Sequence, residues 1–103
     1  MRIVIRDKKT LKALAEALTI TYDGNNVVVS GSQRPNRKTT HSPTKNFSVV
    51  VKQLDIKIHF TTEAIDTWIQ LGCKPSLFHV QNSVNLLKAM SMDITPANVK
   101  KML

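Results

Sequence analysis

SQRPNRKTTHSPTKN, residues 32–46, decides how this chain divides, because everything before and after it can build a core and it cannot. The stretch carries Arg34, Arg37, Lys38 and Lys45, one histidine (His41) and no acid, among Ser, Thr, Asn and Gln side chains. It holds no aliphatic residue, and Pro35 and Pro43 interrupt any helix or ladder. The reading is a long basic loop, 32–46, inside one small domain. Loops of that length in a compact domain are usually functional or disordered.

On the N-terminal side, Met1 to Arg6 alternates. Met1, Ile3 and Ile5 share one face and Arg2, Val4 and Arg6 the other, which predicts a short half-buried strand. From Thr10 the period changes: Leu11, Leu14, Ala15 and Leu18 stack on one helical face, with Asp7 or Thr10 as cap. Thr19–Asp23 and Val27–Gly31 predict two strands joined at Asp23-Gly24-Asn25-Asn26, where Gly and Asn tolerate positive φ.

On the C-terminal side, Leu54, Ile56, Ile58 and Phe60 alternate with Asp55, Lys57 and His59, so a strand ends at Phe60. Phe47–Val51 is either a separate strand or its beginning. Thr61 or Thr62 then caps a helix with Ile65, Trp68 and Ile69 on its apolar face, closed by Gly72. Pro75 suits the first turn of a following helix carrying Leu77, Val80, Val84, Leu87 and Met90. Thr95-Pro96 starts a last helix, with Ile94 against Val99 as a staple. The order is β-α-β-β-loop-β-α-α-α. This is an α+β fold, a small antiparallel or mixed sheet with a C-terminal helical cluster, in a single domain spanning 1–103. Leu14, Leu18, Ile56, Ile58, Trp68, Val80, Val84 and Leu87 are the expected core.

The net charge of the 103 residues is +8. The loop carries +4, residues 72–103 carry +3, residues 1–31 carry +2 and residues 47–71 carry −1. Such a balance attracts polyanions and says nothing about fold. Cys73 is the only cysteine, which excludes an intrachain disulfide. The apolar run near the N-terminus is far too short for a signal peptide, and no stretch approaches the roughly 18 apolar residues of a spanning helix. A cytoplasmic protein that makes no membrane contact is expected.

Three constellations bear on function. Guanidinium and ammonium groups beside hydroxyl and amide side chains suit phosphate oxygens, so Arg34, Arg37, Lys38, His41 and Lys45 are the candidate nucleic-acid contacts, with Thr39, Thr40, Ser42 and Asn46 adding hydrogen bonds. Arg2, Arg6, Thr19, Thr21, Lys57 and His59 would share one polar sheet face, which adds Arg2, Arg6 and Lys57 as candidates. That face lacks the aromatic rings on which single strands stack, since the chain has only five Phe, Tyr and Trp residues. Finally, Trp68 to Met90 has the parts of a helix-turn-helix, exposing His79, Gln81, Asn82, Ser83, Asn85 and Lys88; bulky Trp68 and the lack of arginine count against it.

No cofactor signature or paired metal-ligand spacing involves Cys73, His79, His59 or His41. A ribonuclease of the small toxin kind could use His41, Arg37 and Lys45, but on a loose loop they would be poorly organised. The expectation is therefore a small basic non-enzymatic protein that binds DNA or RNA through phosphates. The alternative is an inhibitor or adaptor, of phage or plasmid type, that docks on an acidic protein surface.

Overall fold

A computed structural model describes residues 4–103. Of the expected first strand, Met1, Arg2 and Ile3 lie outside the described residues, and Val4–Asp7 form no ladder. In place of a partner strand, Ile5 meets a side chain. Its N–H donates to Asn82 Oδ1 at 2.7 Å and its carbonyl accepts from Asn82 Nδ2 at 3.0 Å. An amide side chain thus satisfies the backbone as a neighbouring strand would.

Helix α1 (Lys8–Ala17) is capped by Asp7 and buries Leu14. It runs without a loop into β1 (Leu18–Tyr22), which pairs antiparallel with β2 (Val27–Gly31) across the expected turn. Gly31, at φ +118°, marks the tightest point: a Cβ there would stand 2.7 Å from the Ala17 carbonyl oxygen. The chain then leaves this sheet.

Residues 32–46 are not one irregular loop, and here the sequence reading is corrected. They contain β3 (Gln33–Arg34), paired antiparallel with β5 (Phe47–Val51), and β4 (Thr39–His41), paired antiparallel with β2. β6 (Ile56–Phe60) completes the second sheet. Among the described residues, the strand orders are β1-β2-β4 and β3-β5-β6, so the chain crosses between sheets at Ser32 and returns before Thr39. The physical reason is Gln33, only 2% exposed. Its Nε2 donates to the Val29 carbonyl at 3.0 Å and the Arg37 carbonyl at 2.6 Å, while its Oε1 accepts from Thr39 Oγ1 at 3.4 Å. One buried amide ties the segment to β2 and β4 where aliphatic side chains are absent.

Helices α2 (Thr62–Gln70), α3 (Leu77–Ala89) and α4 (Pro96–Met102) follow, N-capped by Thr61, Ser76 and Thr95. Pro75 precedes the Ser76 cap rather than sitting inside the first turn, and its carbonyl accepts from Trp68 Nε1 at 2.8 Å. The α+β class and the C-terminal helical cluster are as the sequence indicates. Of the expected core, Leu14, Leu18, Ile58, Trp68, Val80, Val84 and Leu87 are buried and Ile56 is half-buried. A row of rings joins the layers: His41 stacks on Phe47 with centroids 4.0 Å apart, Phe47 meets Phe60 at 5.1 Å, and Phe60 meets Phe78 edge-on at 5.2 Å.

Two aspartates fix local geometry and carry a pH signature. Bonds from the Thr10 side chain and the Lys9 N–H hold Asp7 below its ordinary 3.8. The Asn26 and Asn25 N–H groups do the same for Asp23 in the hairpin turn. A depressed folded-state pKa adds stability that is present above 3.8 and fades as pH falls through the folded value. The Asp7→Asn, Asp23→Asn double variant keeps acceptors at both positions. Thermal melts should show it somewhat less stable than the parent near neutrality, with the gap closing in acid as the parent's two carboxylates become protonated.

Candidate nucleic-acid interface

Strand alternation sends Gln33, Phe47, Val49, Val51, Ile58 and Phe60 inward, where all are buried. The opposite face of the β3-β5-β6 sheet therefore carries Arg34, Ser48, Val50, Lys57 and His59. Register aligns three of them in one row, with Arg34 opposite Val50 and Val50 opposite Lys57. With strands about 4.8 Å apart, the stems of Arg34 and Lys57 stand about 10 Å apart. Ser48 lies opposite His59 and bonds its Nδ1.

Arg37 and Lys38 are exposed in the connection between β3 and β4, where the chain returns to the first sheet, and the Lys38 charge is felt by Asp23 in the β1–β2 turn. Lys45 sits in the turn before β5, its N–H donating to the Ser42 carbonyl at 3.3 Å. Lys52 was not singled out by sequence. It follows β5 directly, its N–H donating to the Ser32 carbonyl at 3.2 Å, and is exposed. Extending the Ser48, Val50 alternation by two residues would have found it.

Asp55, held at φ +50° in the β5–β6 turn, pairs with Arg34 at 2.8 Å. The two side chains are 56% and 74% exposed, so water screens the pair and a phosphate can displace the carboxylate.

Other predicted residues lie elsewhere. His41 is half-buried on Phe47 with Nε2 3.2 Å from Thr39 Oγ1, and burial pushes its pKa below 6.5, so near neutrality it adds no charge. Arg6 is exposed in the segment before α1, away from any strand, and Arg2 lies outside the described residues. Thr19 and Thr21 face out from the β1-β2-β4 sheet. The single polar face proposed from the sequence is therefore split between two sheets. Of the hydroxyl and amide candidates, Asn46 Oδ1 accepts from the Thr62 N–H and Ser42 bonds Thr44; Thr40 remains exposed.

The helix-turn-helix reading fails on burial. Gln81, Asn82, Ser83 and Asn85 are all at most 9% exposed, because α3 is packed against α1, α2 and α4. Gln81 Oε1 accepts from the Thr61 N–H at 2.7 Å, and Asn82 is committed to Ile5. Lys88 pairs with Glu63. These polar groups satisfy backbone and one another; they are not displayed for bases.

Cys73, half-buried and at φ +56°, has its thiol pKa raised by burial. Among the described residues, no three His, Cys, Asp or Glu side chains are grouped to hold a metal ion, and no helix is long and apolar enough to cross a membrane. No family model, curated protein or solved structure matches the chain.

Proposed function

We propose that this chain is a small non-enzymatic nucleic-acid-binding protein that grips phosphates with the outer face of its second sheet and the adjoining β3–β4 connection. The observation that carries this reading is the register that aligns Arg34 and Lys57 in one outward row, with exposed Lys52 following β5 and exposed Arg37 and Lys38 in the connection that follows β3. Stems about 10 Å apart meet different phosphates rather than sharing one, because duplex DNA carries a charge every 1.7 Å or so of its axis. No Phe, Tyr or Trp lies on the face, so contact is with the backbone and not by stacking on these rings.

Titrating a labelled duplex over a salt series tests this. The expected result is a steep linear fall of log K with log salt and little preference among sequences. Absence of binding at low salt would transfer the cationic face to the alternative partner, an acidic protein surface. A milder perturbation addresses Asp55. Asp55→Asn keeps a residue that tolerates positive φ and frees Arg34, so duplex affinity should rise about two- to fivefold, the scale of an exposed ion pair. Unchanged affinity would remove Arg34 from the contact surface.

A further inference from the structure

β1 lies at one edge of its sheet, and two backbone bonds fix which way each of its residues points. The Asp23 N–H donates to the Asn26 carbonyl at 3.1 Å, and the Ser32 N–H donates to the Ala17 carbonyl at 3.2 Å. Bonded pairs alternate along an antiparallel ladder, so Thr19 and Thr21 bond to Ser30 and Val28 in β2. The N–H and C=O groups of Leu18, Ile20 and Tyr22 therefore point out of the sheet, and among the described residues nothing bonds to them. A groove of about 340 Å³, lined by Leu18, Thr19 and Ile20 and by residues 73–77, runs beside this edge and leaves it open.

An open strand edge invites pairing with another chain, and proteins commonly blunt such edges with charge or brevity. The other edges here are blunted. β3 and β4 are two and three residues long, and β6 carries Lys57 and His59. β1 reads Leu-Thr-Ile-Thr-Tyr, five residues of high β-propensity without a charge, in a chain of net charge +8.

We propose that the β1 edge pairs with the β1 edge of a second copy of this chain, antiparallel about a two-fold axis at Ile20. The strand is complementary to itself in that register. Ile20 faces the partner's Ile20 and Leu18 faces the partner's Tyr22, each exchanging both backbone bonds. Thr19 stands opposite the partner's Thr21 on the outer face, a favourable cross-strand pair, and no cation of one strand meets a cation of the other. On the inner face, half-buried Ile20 and Tyr22 gain apolar cover. One strand pair is smaller than a standard interface of about 1,600 Å², so the dimer is weak and reversible. The pairing leaves the cationic face of the second sheet free, and neither reading depends on the other.

Sedimentation equilibrium of the full chain, freed of nucleic acid, should show a monomer–dimer equilibrium. Amide resonances that move with protein concentration should cluster at residues 18–22. Charges placed on the two exposed threonines then read the register. Thr19→Lys with Thr21→Lys sets like charges opposite one another across the axis, as does Thr19→Glu with Thr21→Glu, and each should weaken the dimer about tenfold. Thr19→Lys with Thr21→Glu sets opposite charges face to face and should dimerise at least as well as the parent. General repulsion between cationic molecules would instead make the two-glutamate variant the tighter dimer, because it lowers the net charge. Thermal melts of the variants should stay near the parent, since both side chains face solvent. A monomer at every concentration, a two-glutamate variant that dimerises better than the parent, or a lysine–glutamate variant as weak as the two-lysine one would each overturn the assignment. The first of these would leave the edge to an extended strand from a different protein.

Discussion

Replacing Arg34, Arg37, Lys38 and Lys45 together with alanine should flatten the plot of log K against log salt for duplex DNA by about 3–4 units, one for each lost phosphate contact. The fold should survive. All four residues are exposed, and their interactions with acids among the described residues, Arg34 with Asp55 and Lys38 with Asp23, are at solvent-exposed carboxylates. The Gln33 bonds that organise the segment use the carbonyl of Arg37, which alanine retains. Affinity should fall equally for unrelated sequences, because phosphate contacts carry no base information. Circular dichroism and thermal melts of the variant establish that the protein is intact, and filter binding or anisotropy across salt gives the slope. A Lys52→Ala, Lys57→Ala variant extends the test to the far side of the row. A quadruple variant with unchanged affinity and slope would remove the β3–β4 segment from the interface and leave acidic-surface docking as the better account.

The parts of the fold readable in the sequence are those held by neighbours close along the chain. Asp7, Thr61 and Thr95 announce helix starts because a cap bonds residues two or three positions on. The β1–β2 hairpin is likewise written in its turn. What escaped depends on distant partners. Gln33–Arg34 and Thr39–His41 are too short to show a period of two, and they are strands only because β5 and β2 stand beside them. Asn82 looked like an exposed reader of bases, whereas it meets Ile5, 77 residues away in sequence. The candidate site shares this limit. Arg34 and Lys57 are individually obvious as cations, but their common row follows from the register of three strands, and no spacing along the chain encodes it.

Gln33→Leu separates the charge of the interface from its geometry. The substitution keeps a side chain of similar size in a site only 2% exposed, yet removes both donors and the acceptor that link β2, the Arg37 carbonyl and Thr39. Each buried group left unpaired costs about 1–3 kcal/mol, so chemical denaturation should show a loss on the order of 2 kcal/mol or more. Amide exchange should accelerate across residues 33–41 ahead of the rest of the protein, because that segment has little apolar burial of its own. Every cation remains, so the salt slope should stay near the parental value. Affinity should nevertheless drop, since the segment must now be ordered at the moment of binding. The pairing with the quadruple alanine variant is diagnostic: one lowers the slope with the fold intact, the other lowers affinity with the slope intact. Stability within about half a kilocalorie of the parent, the range of an ordinary surface change, would show that β3 and β4 are held by their ladders alone and that the buried glutamine is not what organises the cationic segment.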